Sequence, residues 1–445
     1  MHDAPNWGIT PVPERLRVLG LGDMFLLWAN LSVSLLVIVA GAFLVPGLSL
    51  RDAFFAILVA AIVGNAMLGL AGTIGADARV PAMVVLRAPL GRRGSLLPTT
   101  LNVAQCLGWS VFELLIIATA ASALSEEVFG FGGKALWTIL MGAIATLLAL
   151  LGPIGFVRRY IRKFAIYFVV ASLVYLAWWT FHDQHVGELW SQPGDGSLTF
   201  WPAVDLVLAS IISWTPLAAD YTRFARDRRG AFWGTGVGYL LPTIALFFLG
   251  AVLSLTRELT DAAAIPSAVA AGGAASLLAL FALTVDESDE AFANVYSGAV
   301  SLQNAFGGVS QRVLVAAVAA LATLGALVID LRNYQDFLFL LGSFLVPLFG
   351  VLLADWALNG FHYDERDVFG GPAVRVELVL AWLAGFALYQ WLQPVGPSWW
   401  TDVVERTHPH ALPWGGASLP SFAAAFALAA LARATVGRRS ILARA

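Results

Sequence analysis

Long apolar stretches alternate with short polar connections along this chain of 445 residues. Twelve of the stretches approach the roughly 20 residues that an α-helix needs to cross the hydrocarbon core of a bilayer. They fall at about 22–45, 52–75, 96–124, 134–152, 164–181, 202–219, 232–256, 267–304, 313–330, 334–355, 377–395 and 418–436. We number them 1 to 12 and expect the overlong stretch 8 to be bent or preceded by a short outer helix. The pattern predicts an all-α polytopic membrane protein.

The basic residues divide unevenly between the two sides of these spans. With the N-terminus inside, the inner connections hold 21 Lys and Arg residues and the outer connections hold 5. Cytoplasmic loops carry such an excess in membrane proteins, and one missed or invented span would invert every later loop. We therefore expect twelve spans in a cell (plasma) membrane, with both termini in the cytoplasm.

Composition indicates the same class, because 59% hydrophobic residues, 12% charged residues and a mean hydropathy of +0.78 are too apolar for a soluble globular protein. The formal net charge of −3 gives no support for nucleic-acid binding. No apolar core precedes Arg15 and Arg17, so span 1 is expected to be the insertion signal. The expected partner is the lipid bilayer, and no obligatory protein partner is implied. The longest outer connection, 182–201, predicts an ordinary polar turn.

Span 8 contains the sequence "TVDESDEAFANVYS", which places Asp286, Glu287, Asp289 and Glu290 within five residues. A charged side chain at the centre of a membrane helix costs roughly 2.5 to 3.5 kcal/mol on insertion scales. Four ionised carboxylates facing lipid would exclude the segment from the bilayer, so a positively charged species must neutralise them.

Helical spacing places Asp286, Asp289, Glu290 and Ser297 on one side of span 8, with Asn294 at its margin. Oxygen ligands of this kind suit a hard cation such as Na⁺, and crowded carboxylates also take up protons. A metal ion or a proton is therefore expected there. The alternative is that the cluster is solvated at a water-filled outer mouth, chiefly at Asp286 and Glu287.

Span 3 carries a polar face within an apolar helix. It comprises Asn102, Gln105, Trp109 and Glu113, at separations of three, four and four residues. Asn102 and Gln105 are expected either to hydrogen-bond between helices or to face a ligand. Glu113 is a stronger candidate, because an intramembrane carboxylate indicates a functional site.

Spans 1 and 6 each contain a stretch that favours a break in the helix. Span 1 has "LLWANLSVSLL", in which Asn30 and Ser34 are candidate substrate contacts. Span 6 has "LASIISWTPLAAD", in which Pro216 removes one backbone hydrogen bond and disturbs the preceding turn. Breaks at corresponding places in two halves of a chain indicate the binding site of a transporter.

The sequence contains no motif typical of a catalytic site. The six histidines lie in termini, connections or span ends, and there is no HExxH motif or pair of cysteines. We therefore expect a transporter and not an enzyme, and we expect no cofactor beyond a coupling ion, Na⁺ or H⁺.

Three motifs together resemble the first class of the nucleobase-cation-symport family, whose bacterial members include cytosine, allantoin, hydantoin and hydroxymethylpyrimidine permeases. They are "RAPLGRRGSLLP" (87–98), "ADYTRFARD" (219–227) and "ANVYSGAVSLQN" (293–304). The resemblance extends from about residue 21 to residue 360.

The resemblance implies a leucine-transporter-like fold of ten helices in a five-plus-five inverted repeat, followed by two peripheral helices. The first repeat would span 21–182 and the second 202–356, with the peripheral helices at 377–436. Residues 1–20 and 437–445 would be cytoplasmic. Substrate would lie between helices 1, 3, 6 and 8.

The resemblance also implies roles for individual residues. Trp109 and Trp214 would stack on a planar ring, Glu113 would bond the ring edge, and Asn294 would bind the substrate from helix 8. A sodium site would take its ligands from helices 1 and 8. These would be the backbone carbonyls of Asn30, Val33 and Val285 and the side chains of Ser288 and Asp289.

Two positions depart from the family pattern. Asp289 stands where sodium-dependent relatives have a hydroxyl, so it would either bind Na⁺ more tightly or accept a proton. Glu290, Asp286 and Glu113 are the other candidates for carrying a coupled proton. Glu113 replaces an amide, and a carboxylic acid matches the donor and acceptor edge of cytosine or a related aminopyrimidine such as hydroxymethylpyrimidine. The alternatives are a purine, allantoin or hydantoin permease, or an amino-acid or polyamine carrier on the same scaffold.

Overall fold

The computed structural model describes residues 8–151, 166–182, 186–306, 308–407 and 415–442. Within these ranges the secondary structure consists of helices and turns, with one isolated β-bridge between Leu19 and Ala225. Twelve helical segments match the twelve predicted spans, and we keep the numbers 1 to 12 for them.

The first six spans are bounded as follows. Helix 1 has two halves, Leu21–Leu31 and Leu35–Ala42, and helices 2 to 5 are Leu50–Ala78, Leu96–Phe129, Lys134–Leu151 and Ile166–His182. Helix 6 also has two halves, Phe200–Ile212 and Thr215–Thr222.

The last six spans are single helices. Helices 7 to 12 are Arg228–Thr256, Ala274–Ala305, Gln311–Ala326, Tyr334–Leu358, Val376–Leu392 and Ser418–Leu442. A short helix, Ile265–Ala270, precedes helix 8, which confirms the expectation for the overlong stretch. Shorter connecting helices are Ala82–Val85, Arg87–Leu90, Val186–Ser191, Glu365–Phe369 and Ser398–Glu405.

By length and apolar composition, helices 2, 3, 6, 7, 10 and 12 are long enough to cross a membrane, and the two halves of helix 1 together make a seventh span. Helices 4, 5, 9 and 11 are shorter apolar helices. Helix 8 has the length of a span, but its acidic residues interrupt its apolar character.

The outer connection after helix 5 differs from the simple turn expected there. It contains the helix Val186–Ser191, and the backbone N–H groups of Asp195 and Gly196 donate to the carbonyls of Pro46 and Gly47 at 2.9 and 3.1 Å. This connection is therefore anchored to the residues that follow the second half of helix 1.

Close helix packing holds the two halves of helix 1 in the protein interior. The first half packs along helix 7, and so does the second. At Gly41 an added Cβ would collide with the carbonyl of Phe247, and at Gly250 it would collide with the carbonyl of Ile38. Glycine at both positions lets the two backbones touch, as small residues do between membrane helices.

Candidate functional site

The break in helix 1 is the centre of the candidate site. The two halves meet at 56°, and the residues between them are Ser32, Val33 and Ser34. Ser34 has an extended backbone and its hydroxyl accepts from the N–H of Leu36 at 3.0 Å, so it caps the second half. The predicted interruption of helix 1 is confirmed.

Glu287 of helix 8 lies against this break. Its carboxylate accepts from the Ser34 hydroxyl at 2.6 Å and from the Leu35 N–H at 2.7 Å, and the residue is only 1% exposed. The N-terminus of a helix presents unpaired N–H groups and a partial positive charge, so it stabilises a carboxylate. Glu287 is thus the acidic residue that joins helix 8 to the second half of helix 1.

Two further glutamates share the same space. One carboxylate oxygen from each of Glu113, Glu287 and Glu290 lies within 4.8 Å of the others, and all three side chains are buried. Glu287 and Glu290 are three residues apart on one helix and so share a face, whereas Glu113 comes from helix 3, which packs along helix 8. We call these three residues the glutamate triad.

Helix 8 carries two further acidic residues. Asp286 is also buried, so the alternative of a solvated outer mouth is wrong for both Asp286 and Glu287. Asp289 belongs to helix 8, but its side chain lies outside the described part of the structure. Its predicted role in cation binding stays a prediction.

Glu287 is the site residue that the sequence prediction left out. The predicted face of helix 8 passed through Asp286, Asp289, Glu290 and Ser297, whereas the carboxylate of Glu287 lies with that of Glu290 in the triad, one turn before the buried Asn294. A signal was present, since these positions repeat at three and four residues like the predicted ones. The period alone does not distinguish two faces that share Glu290.

One aromatic group flanks the triad from helices 3 and 10. The ring of Trp109 lies 5.7 Å from that of Tyr334 and 5.5 Å from that of Phe337, both with edge-to-face geometry. The Tyr334 hydroxyl interacts electrostatically with Glu113, Glu290 and Glu287. Trp109 is therefore buried beside the triad.

A second aromatic group flanks it from helices 1, 6 and 7. Trp214 lies 5.9 Å from Trp28 and 6.1 Å from Tyr239, measured between ring centroids. Tyr239 interacts electrostatically with Glu290 and Glu113. Among the described residues no ring contact joins Trp109 to Trp214, so the two tryptophans belong to separate aromatic groups near the carboxylates.

Helix 6 is interrupted at Ser213 and Trp214, as its proline predicted. Pro216 lies in the first turn of the second half, where its missing N–H costs nothing. The Ser213 carbonyl at the break accepts from the Gln105 side chain at 2.9 Å. This interruption is therefore bound directly to helix 3.

The residues on the polar face of helix 3 have two different roles. Asn102 donates to the Ser301 hydroxyl of helix 8 at 2.7 Å, and Gln105 donates to Asn102 at 2.8 Å. These two amides join helices, which confirms the simpler of their two expected roles. Trp109 and Glu113 continue the face into the candidate site.

The remaining residues predicted to contact substrate or Na⁺ differ in burial and in hydrogen bonding. Asn294 is buried, and its amide donates to the Glu290 carbonyl in its own helix at 3.2 Å. The Asn30 carbonyl accepts from the N–H groups of Ser32 and Val33 at the break. Val285 is 52% exposed, whereas Ser288 is buried.

The end of the molecule that the sequence predicts to be cytoplasmic carries a polar network around Asp77 of helix 2. Its carboxylate accepts from the Trp356 indole at 3.0 Å and from the Tyr363 N–H at 2.9 Å. It also pairs with Arg228, and the ring of His362 lies 2.7 Å away. Helices 2, 7 and 10 are thus held together at one end, and no local sequence pattern predicts this network.

The N-terminal segment crosses the same end. The Leu19 N–H donates to the Phe224 carbonyl at 3.1 Å, the Arg226 N–H donates to the Leu19 carbonyl at 2.8 Å, and the Arg17 side chain donates to the Ala225 carbonyl at 2.9 Å. In this conformation the segment is fixed to the connection between helices 6 and 7.

Comparison with known proteins gives one family. A family model described as "Permease for cytosine/purines, uracil, thiamine, allantoin" matches residues 11–373. The cytosine permease of Escherichia coli (strain K12) is 26% identical over 420 residues, which cover 89% of this chain and 92% of that protein. The hydantoin permease of Microbacterium maritypicum is 29% identical over 298 residues, covering 62% of this chain and 60% of that protein.

Solved structures show the same architecture. Mhp1, a nucleobase-cation-symport-1 family transporter in a closed conformation with bromovinylhydantoin bound, matches with a TM-score of 0.79 at 20% identity and covers 98% of this chain and 96% of its own. The inward-facing conformation of Mhp1 gives a TM-score of 0.75. The predicted fold class, an all-α membrane protein with a leucine-transporter-like arrangement, is confirmed.

Proposed function

This chain belongs to the family of permeases for cytosine and purines, uracil, thiamine and allantoin, and we propose that it is a cation-coupled symporter that imports cytosine or a related aminopyrimidine. The observation that supports this most is the glutamate triad at the break of helix 1, with two aromatic groups near it. Carboxylates attract a cation, and aromatic faces favour a planar ring.

Ring selection would combine stacking with edge hydrogen bonds. Stacking on Trp109 and Trp214 contributes about 0.5 to 1.5 kcal/mol beyond burial, which favours flat heterocycles over aliphatic amines. Helix rearrangement during the transport cycle would bring the two tryptophans onto one ring. Glu113, as a carboxylic acid, would then donate to the ring nitrogen and accept from the exocyclic amine.

Helices 1 and 8 would complete the substrate site through Asn30, Ser34 and Asn294. Asn294 is buried one turn beyond Glu290, which supports a place next to the ring. The Ser34 hydroxyl donates to Glu287 in the described conformation. We therefore propose that Ser34 contributes to the substrate site chiefly by holding the Glu287 side chain in position.

The coupling cation would bind where helix 1 is broken. Helix termini leave carbonyl groups without intrahelical partners, and Na⁺ takes oxygen ligands of this kind. The break beside Asn30 and Val33 and the buried Ser288 fit this use. The carbonyl of Val285 and the Asp289 side chain would complete the set, and with H⁺ as the coupling ion Asp289, Glu290, Asp286 or Glu113 would carry the proton.

A hydantoin or allantoin permease is the second candidate. Curated relatives include a hydantoin permease and the allantoin permease of Bacillus subtilis (strain 168), which is 26% identical over 356 residues. An acidic group at position 113 favours the aminopyrimidine, because hydantoin presents no exocyclic amine for it to bind.

Uptake by proteoliposomes tests the proposal. Purified protein reconstituted with an inward Na⁺ or proton gradient should accumulate labelled cytosine above its outside concentration, and Asp289→Asn should change the dependence on that cation. Asp52→Asn, at the outer end of helix 2, is the matched control. Binding without accumulation under either gradient would contradict symport.

A further inference from the structure

Tyr334, the first residue of helix 10, carries a hydroxyl that packing alone does not require. Its side chain is completely buried, and its ring lies 6.1, 5.7 and 5.3 Å from the rings of Phe43, Trp109 and Phe112, measured between centroids. Phenylalanine would fill such an apolar position with nearly the same volume. The hydroxyl has no hydrogen-bond partner among the residues that the structure describes. Buried polar atoms are nearly always paired, so this hydroxyl indicates a ligand that binds beside it.

The Tyr334 hydroxyl lies near the candidate site. Glu113 is the residue that acts on it most strongly by electrostatic interaction, and Tyr239 also contributes. Tyr239 belongs to the aromatic group of Trp214, with ring centroids 6.1 Å apart, whereas Tyr334 itself packs against Trp109. The hydroxyl is therefore close to Glu113 and to residues of both aromatic groups, and its three ring neighbours hold it in a fixed position.

We infer that Tyr334 is a specificity-determining residue, whose hydroxyl donates to a carbonyl oxygen next to the ring nitrogen of the substrate. This inference rests on the proposed function, in which Glu113 as a carboxylic acid donates to that ring nitrogen and accepts from the exocyclic amine. Cytosine presents the amine, the ring nitrogen and the carbonyl oxygen in a row along one edge. Glu113 pairs with the first two groups, and a tyrosine hydroxyl has the one donor that the third group needs.

This third hydrogen bond distinguishes among the aminopyrimidines. Cytosine has the carbonyl oxygen, whereas 4-aminopyrimidine and hydroxymethylpyrimidine have no carbonyl at that position and leave the Tyr334 hydroxyl unpaired. A buried polar group left unpaired on binding lowers affinity roughly 10- to 100-fold. We therefore expect the site to take an aminopyrimidine that carries the adjacent carbonyl, which is cytosine and not hydroxymethylpyrimidine.

Isothermal titration calorimetry of the purified full-length protein, in detergent with Na⁺, tests the inference through the Kd values of cytosine and 4-aminopyrimidine. The wild type should bind cytosine about 10- to 100-fold more tightly. Tyr334→Phe should weaken cytosine binding by a similar factor and leave 4-aminopyrimidine binding unchanged, so that the two Kd values become nearly equal. A merely structural role of Tyr334 would weaken the binding of both rings alike.

Tyr389→Phe is the matched control, because it removes another completely buried tyrosine hydroxyl, one that lies in helix 11 near Asp205 and Ser418. It should keep the wild-type ratio of Kd values, and thermal unfolding shows that each variant is folded. An unchanged ratio in folded Tyr334→Phe would overturn the inference while cytosine binding, and with it the proposed function, stands. Equal affinity of the wild type for the two rings would overturn it even if Tyr334→Phe does not fold. A wild type that binds neither ring would contradict the proposed function itself.

Discussion

Glu287 links the two parts of the site, because its carboxylate binds helix 1 while the same turn of helix 8 carries Glu290. The carboxylate satisfies the N–H that begins the second half of helix 1, so it acts as a cap supplied by another helix. An acidic residue in a membrane span therefore has a structural task here in addition to its place in the triad.

At the residue scale, Glu287→Ala should destabilise the protein more than Glu287→Gln. Alanine leaves the Leu35 N–H and the Ser34 hydroxyl buried without an acceptor, at a cost of about 1 to 3 kcal/mol per group, while glutamine keeps one carbonyl acceptor. Thermal unfolding in detergent measures the difference. Equal melting temperatures for wild type and both variants would show that the cap contributes nothing.

At the scale of elements, the breaks in helices 1 and 6 were predictable because their causes are local. Pro216 cannot complete the hydrogen bonding of a continuous helix, and the run around Asn30 and Ser34 lacks strong helix formers. The place of Glu287 in the triad was not predictable in this way. It depends on how helix 8 packs against helices 1 and 3, which brings the Glu287 carboxylate to the Ser34 hydroxyl and the Leu35 N–H.

The contact between helices 1 and 7 gives a prediction at the same scale. Gly250→Ala should destabilise the protein, because the added Cβ meets the Ile38 carbonyl and forces the helices apart. Gly22→Ala is the matched control, since a Cβ there meets nothing within 4 Å and alanine favours a helix by up to about 1 kcal/mol over glycine. A melting temperature unchanged or raised in Gly250→Ala would refute the close approach.

At the scale of the whole molecule, the Asp77 network and the N-terminal segment hold together the helix ends that the sequence predicts to be cytoplasmic. Several of these contacts join residues more than 200 positions apart, such as Asp77 with Trp356 and Arg17 with Ala225. Such pairs follow from the assembled fold and not from a local pattern. The sequence alone therefore predicted the spans but not these contacts between distant parts of the chain.

Asp77→Asn should loosen this closure and raise the population of inward-open molecules. The native Cys106 of helix 3 is buried and is the single cysteine of the chain, so its alkylation by a maleimide reports opening without engineered cysteines. We expect faster alkylation in Asp77→Asn than in the wild type. Asp52→Asn, at the outer end of the same helix, should alkylate at the wild-type rate; equal rates in all three proteins would remove Asp77 from the inner closure.

The whole account depends on hydrogen bonds between Glu113 and the edge of a planar ring that binds beside the buried carboxylates. Competition for labelled cytosine uptake, with unlabelled cytosine, uracil and hydantoin as competitors, measures this directly in wild type and Glu113→Gln. We predict that the wild type prefers cytosine and that Glu113→Gln shifts the preference toward uracil and hydantoin, since an amide presents a different edge. An identical ranking of the three rings in both proteins would contradict it.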